Sequence, residues 1–154
     1  MSRRDQIKMT AEEADAFLEE QRTVICATNG RDGFPHLMPL WYVVKNGRIW
    51  AWTYAKSQKA RNLERDLRAT LQVEAGGEYQ DLRGLMLRCE TTVHHDHDVI
   101  EAFAMELVDR YSGPGPEFDP VRDGFRAQVP KRVALEFAEL SRVSWDHRKL
   151  SGTY

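Results

Sequence analysis

The feature that most constrains this chain is the run Pro35 to Tyr54, two strand-like stretches joined by Lys45-Asn46-Gly47-Arg48. Asn-Gly suits the two central positions of a type I′ turn, where φ is positive, so the run predicts a tight antiparallel hairpin. Its returning half alternates Trp50, Trp52 and Tyr54 on one face with Ile49, Ala51 and Thr53 on the other. Pro39 interrupts the first half. A proline cannot donate to a ladder, so that point is expected at an edge or a bulge.

Further strands are expected around the hairpin. Thr23 to Thr28 precedes it across the turn Asn29 to Gly33, and Ala69 to Glu74 leads through Gly76-Gly77 to a long strand from Leu82 to about His94. Arg132 to Phe137 follows, with Val143 to Trp145 a candidate extension of the sheet. Helices are expected from Thr10, which has Glu13 at capping-box spacing, over Gln58 to Arg65, and over Asp98 to Tyr111, where Asp98 and Glu101 repeat that spacing. Ser112 to Asp119 reads as loop. This order favours an α+β fold, a small antiparallel barrel of six to seven strands with inserted helices, and the length of 154 residues suits one domain, 1–154.

Several function classes lose support. Lys plus Arg total 22 against 24 Asp plus Glu, a net charge of −2, which removes the main reason to propose nucleic-acid binding. Two cysteines, Cys26 and Cys89, are too few for a disulfide framework or a thiolate metal site, and both are expected in the core. His94-His95-Asp96-His97 offers no visible third metal ligand, so turn and capping roles are expected there and no metal. Neither G-x-G-x-x-G nor G-x-x-x-x-G-K-[ST] is present. No stretch matches a membrane span or a signal core, and a cytoplasmic protein is expected.

The segment that carries chemistry is Tyr54-Ala55-Lys56-Ser57-Gln58-Lys59-Ala60-Arg61-Asn62-Leu63, which leaves a strand and enters a helix. Ser57 is an N-cap candidate, and the amides that follow lie at the positive end of the helix dipole. Most helices place acids there, as Glu12 and Glu13 do in the first helix. This one places Lys56, Lys59 and Arg61, with no acid before Glu64. Each cation at that end is unfavourable by a few tenths of a kcal/mol, up to ~1 kcal/mol. A bound phosphate would accept the free amides and pair with the cations, and Asn62 adds a neutral donor. The alternative is a solvated basic helix with Glu64 and Asp66 as partners.

These residues resemble the pyridoxamine 5′-phosphate oxidase-like split β-barrel family of flavin- and deazaflavin-dependent oxidoreductases. The likeness rests on Gly33-x-Pro35-x-x-x-Pro39-Leu40-Trp41-Tyr42, Thr53, Ser57-x-Lys59-Ala60-Arg61-Asn62-Leu63-x-x-Asp66-x-Arg68, and Lys131-Arg132-Val133. The resemblance implies a homodimer with cofactor sites at the subunit interface. It implies that Lys59, Arg61 and Asn62 hold the cofactor phosphate, with Lys56, Ser57, Ala60 and Thr53 nearby, and that Pro39, Leu40, Trp41 and Tyr42 lie along the ring system. It implies hydride transfer between that ring and a small organic acceptor, with no catalytic acid or base required of the chain. The short chain and the Lys-Ala-Arg-Asn-Leu motif look closer to the users of the deazaflavin coenzyme F420, with flavin mononucleotide (FMN) the alternative. Vitamin B6 oxidation is not expected, since the substrate-phosphate residues of an extended C-terminus are missing. A non-catalytic flavin- or haem-binding barrel is the competing class. Ser144 to Leu150 is expected to be a packed arm, with His147 or Lys149 reaching an active site as the functional alternative.

Overall fold

The structure, a computed structural model, describes residues 2–150. Six antiparallel strands, β1 (Thr23–Asn29), β2 (Pro35–Lys45), β3 (Arg48–Tyr54), β4 (Arg68–Ala75), β5 (Arg83–His94) and β6 (Arg132–Asp146), close into a barrel in the order β1-β2-β3-β6-β5-β4. The β2–β3 hairpin turns on Asn46 (φ 51°) and Gly47 (φ 72°), the left-handed pair that a type I′ turn needs. The two expected pieces near the C-terminus are one continuous strand, β6, with an irregularity opposite Arg88 and Cys89.

Strand alternation sorts the side chains as the sequence predicts. Ile49, Ala51 and Thr53 face inward, where Val24, Cys26, Leu71, Leu85, Leu135 and Phe137 fill the barrel. Trp50 and Trp52 face outward, under the helix α4 (His97–Tyr111), which lays Ile100, Phe103 and Leu107 on Trp50 and Ala134. Both cysteines are buried free thiols, pushed up to about 12 by burial, so they are neutral core residues at ordinary pH.

The barrel wall parts at one end. β2 pairs with β1 from Pro35 to Trp41, yet pairs with β3 only from Tyr42 to Lys45. Trp52 to Tyr54 of β3 pair on the other side alone, with β6. Pro39 lies in this parted stretch, at a strand edge, as its missing N–H requires. The hydroxyl of Tyr111 lies 3.0 Å from the Tyr42 amide, 2.9 Å from its carbonyl and 2.7 Å from the carbonyl of Arg22, completing the β1–β2 ladder where pairing stops.

Local signals explain the helices. The first long helix, α2 (Ala11–Glu20), has its full Thr10–Glu13 capping box; a short α1 (Arg3–Gln6) precedes it, capped by Ser2. The helix α3 (Gln58–Arg65) packs Ala60 and Leu63 into the core at the parted end. α4 is capped by Asp96, which accepts from the amides of Asp98 and Val99, so the expected Asp98–Glu101 box is replaced by a cap two residues earlier. An unexpected helix, α5 (Asp119–Arg126), begins with a proline in its first turn, and Arg122 ties it to Asp109 and Asp119. The C-terminal residues pack as an arm at the far end of β6. There the Asp146 amide donates to the Ile7 carbonyl (2.7 Å), and Lys149 Nζ to that of Lys8 (2.8 Å).

Among the described residues no helix is long and apolar enough to cross a membrane, and no cluster of three or more His, Cys, Asp or Glu side chains could hold a metal.

Candidate functional site

The turn Tyr54 to Ser57 delivers α3 to the parted end of the barrel, with the Ser57 amide bonded to the Tyr54 carbonyl (2.9 Å). Ser57 is the N-cap: its hydroxyl accepts from the Ala60 amide at 3.2 Å and lies 3.1 Å from the hydroxyl of Thr53. No acid occupies the first turn. The amides of Gln58 and Lys59 have no intrahelical acceptor, as the geometry of any helix start dictates.

Lys59 turns inward and is only 6% exposed. Its ammonium donates to the Thr53 hydroxyl at 3.2 Å and, among the described residues, forms no ion pair. Burial pushes this ammonium below the ordinary lysine value, Cys26 opposes the drop, and the charge of Arg132 adds to it. Burying a charge with one neutral partner is costly, so this is a place where the fold alone does not account for the residue.

Other cations that the fold buries are treated differently. Of the four half-buried arginines, Arg83 pairs with Glu20, Arg110 with Glu19 and Arg122 with Asp109 and Asp119. The fourth, Arg132, has no carboxylate among the described residues. It opens β6 opposite Tyr54, the last residue of β3. Its guanidinium sits 3.6 Å from the Tyr54 ring centroid and 4.5 Å from that of Trp52, and donates through Nε and Nη2 to the Gln128 side-chain oxygen. The buried Lys59 and the half-buried Arg132, neither paired with a carboxylate among the described residues, therefore lie at one corner of the molecule, where β3 ends, α3 starts and β6 starts.

The expected site residues divide. Thr53, Ser57, Lys59 and the amide of Ala60 come together. Lys56 and Arg61 stay exposed and unpaired with carboxylates among the described residues. Asp66 instead binds Arg68 (2.7 Å) and Asn29 (2.8 Å), so it does not neutralise α3's first turn. Asn62 is fully buried: its amide nitrogen donates to Thr28 (3.0 Å), and its oxygen accepts from Gln58 (2.8 Å) and Arg65 (2.7 Å). The bond to Thr28 fastens α3 to β1, and the other two lie within α3. Tyr42 also lies in the core, its hydroxyl donating toward the carbonyls of Leu18 (2.6 Å) and Gln21 (3.1 Å), and Leu40 packs against that core. Pro39 and Trp41 are exposed; Trp41 stacks on Tyr111 at 4.4 Å and is still 52% exposed. Arg132 enters the sequence reading only within the Lys131-Arg132-Val133 motif, with no site role. Its nearness to Thr53 and Tyr54 depends on a β3–β6 register spanning almost eighty residues of chain, which no local pattern encodes.

A groove of 530 Å³ runs beside α3's first turn, lined by Arg31, Phe34, His36, Gln58 and Asn62 among others. The buried Nδ1 of His36 has no hydrogen-bond partner among the described residues. A second cleft of 330 Å³, between α2 and the β2–β3 turn, has an apolar floor of Leu18, Ile49, Leu71 and Phe137. The cations at its rim already pair, Arg142 with Glu139 and Arg48 with Glu136, so among the described residues it leaves no buried cation open.

Comparison with known proteins agrees with this fold. A family model described as pyridoxamine 5′-phosphate oxidase matches residues 10–139. The crystal structure of the conserved hypothetical protein Rv2991 from Mycobacterium tuberculosis is 36% identical, covering 100% of this chain and 95% of that one, with a TM-score of 0.88. A structure described as an F420 reductase is 23% identical over 86% of this chain and 98% of its own, at a TM-score of 0.68. HutZ, the haem storage protein from Vibrio cholerae, is 15% identical over 87% and 94%, at 0.69. The search of curated proteins found no match.

Proposed function

The chain belongs to the pyridoxamine 5′-phosphate oxidase family, and from that membership we propose that it binds a phosphate-bearing flavin-type cofactor at the α3 corner and works as an oxidoreductase. Coenzyme F420 is the cofactor we favour, with FMN the alternative; the Lys59-Ala60-Arg61-Asn62-Leu63 motif and the likeness to an F420 reductase support that order. The observation that carries the reading is Lys59, a buried ammonium with a hydroxyl and, among the described residues, no carboxylate for company.

The residues present fit such a group. Lys59 Nζ, the Ser57 hydroxyl and the free amides of Gln58 and Lys59 are the donor set that a phosphate needs, at the positive pole of a helix. Arg61 and Lys56 add exposed charge that draws an anion toward the groove. A bound flavin or deazaflavin would supply the hydride exchange with a small organic acceptor; the chain itself supplies anchoring, orientation and exclusion of water. Asn62 holds α3 in place through Thr28, and Trp41 offers one ring face beside the unpaired edge of β2. We assign no catalytic acid or base.

A homodimer belongs to this proposal. Phe34, Leu37, Met38 and Trp41, all on or next to the stretch of β2 that lacks a β3 partner, are exposed together with Leu140. Such a run of exposed apolar side chains marks a protein interface, and a second copy seated there would border the groove.

The test is a titration of the purified protein with F420 and with FMN, followed by ring fluorescence. One cofactor is expected to bind at micromolar affinity or better, and Lys59→Ala with Arg61→Ala is expected to weaken it strongly. Equal affinity of both proteins would contradict the site. Tight binding without oxidation of the reduced cofactor by quinones or nitroaromatics would make the chain a non-catalytic holder.

A further inference from the structure

Lys59 and Arg132 share a corner but not a surface. Thr53 and Tyr54 are successive residues of β3, so their side chains point to opposite faces of the sheet. Thr53 is buried and bonds Lys59 inside the barrel; Tyr54 is 51% exposed and carries Arg132 outside it. An anion held by Lys59 and the start of α3 therefore gives Arg132 no hydrogen-bonded partner, although the charges of Lys59 and Arg132 do act on each other.

Arg132 is held in a fixed pose. Gln128 takes its Nε and one Nη2 proton through a single oxygen, and the rings of Trp52 and Tyr54 confine the guanidinium plane. Trp52 is itself stacked on Phe125 of α5 at 5.2 Å. A guanidinium has five N–H donors. The end-on edge, one proton each from Nη1 and Nη2, has no partner among the described residues, and that is the edge that receives a carboxylate, sulfonate or phosphate with two parallel hydrogen bonds. Gln128 can hold this pose without neutralising the charge, because its amide oxygen accepts and brings no negative charge of its own. Arg83, Arg110 and Arg122, equally half-buried, each have a carboxylate.

We propose that Arg132 is a second anion subsite, on the outer face of β3, that selects ring-shaped ligands bearing a carboxylate, sulfonate or phosphate, the ring covering the exposed side chain of Tyr54. This subsite prefers anionic planar molecules over neutral ones of the same shape. It does not rest on the identity of the cofactor or on Lys59, since it lies across the strand from both.

The probes are anthraquinone-2-sulfonate and its neutral analogue 2-(hydroxymethyl)anthraquinone, each titrated against the full chain without added cofactor. Quenching of tryptophan fluorescence reports binding, with Trp52 in contact with Arg132. The sulfonate is expected to bind about tenfold more tightly or better, the size of a charged hydrogen-bond pair. Arg132→Gln, which keeps a polar side chain and loses the charge, is expected to erase the preference. Arg132→Lys is expected to keep only part of it, since lysine lacks the fork. Lys59→Ala is expected to keep it whole while losing discrimination of FMN from riboflavin, so failure of the inner site and of the outer one read differently. Equal affinities in the unaltered protein, or a preference that survives Arg132→Gln, overturns the proposal. Should Arg132→Gln unfold, an undiminished preference in Arg132→Lys overturns it as well.

Discussion

The helices α2 and α3 begin alike and are charged oppositely. Thr10 and Ser57 each accept a hydrogen bond from the amide three residues on, at 3.2 Å in both cases. In α2 the third residue is Glu13, whose carboxylate returns to the Thr10 amide at 2.7 Å, and Glu12 adds a second negative charge. In α3 that position is Ala60 and the neighbours are cations. A hydroxyl cap is enough to start a helix; completing it with an acid contributes further stability. α2 uses the whole device because nothing else needs its positive pole. α3 leaves the pole open and places a buried ammonium beside it. The difference teaches that the cap reports how a helix folds, while the charge of its first turn reports what the fold leaves for a ligand.

Four measurements break or sharpen this contrast. The largest effect is expected at Lys59. Lys59→Met should weaken cofactor binding by about a hundredfold, the loss of a charged hydrogen bond in a desolvated setting. Its melting temperature should be unchanged or higher, because an apolar side chain replaces a buried, unpaired charge. A marked drop in melting temperature would make Lys59 a structural residue. The same group predicts a pH dependence. Its pKa is lower in the folded chain than the ordinary ~10.4 of the unfolded one. Between those two values the unfolded chain holds a proton that the folded one has released, so stability rises with pH through that window. An anion favours the charged form, so cofactor affinity should fall as pH rises through the folded value, and Lys59→Met should flatten that fall.

Next comes Asn62→Ala, expected to cost about 2–3 kcal/mol in a denaturant melt, because Thr28, Gln58 and Arg65 lose a buried partner. Tyr111→Phe should cost about 1–2 kcal/mol, since its hydroxyl serves the Tyr42 backbone and Arg22, with no change in phosphate discrimination. The smallest effects separate the two caps. Thr10→Ala and Ser57→Ala should each cost about 1 kcal/mol of stability, but only Ser57→Ala should also weaken cofactor binding, by a few-fold. Equal behaviour of the two variants in the binding assay would erase the distinction between the helices.

Much of this was legible in the sequence because it is local. Asn46-Gly47 specified the hairpin, Pro39 marked an edge, and the alternation of Trp50 and Trp52 with Ile49 and Ala51 sorted the two faces of β3. The odd charge of α3's first turn could be read from Lys56, Lys59 and Arg61 alone. What was not legible depends on register and depth. Sequence spacing cannot say that Lys59 turns inward while Arg61 stays in solvent, or that Asn62 spends its amide on Thr28 thirty-four residues away. Tyr42 looked like a site residue through its neighbours in the Pro39-Leu40-Trp41-Tyr42 run, yet strand alternation sends it into the core beside Leu18. Arg132 meets Tyr54 only because β6 pairs with β3. The α5 helix was hidden by Gly124 and by the proline-rich approach to it, and what holds it is tertiary: Phe125 stacked on Trp52, Arg122 paired with Asp109 and Arg126 with Glu101.

The most direct test of the account is a crystal structure of the full chain with the cofactor that binds more tightly in the titration. A phosphate oxygen is expected within about 3 Å of Lys59 Nζ and of the Gln58 or Lys59 amide. A phosphate found elsewhere, with the Lys59 ammonium still bonded to Thr53 alone, would contradict it.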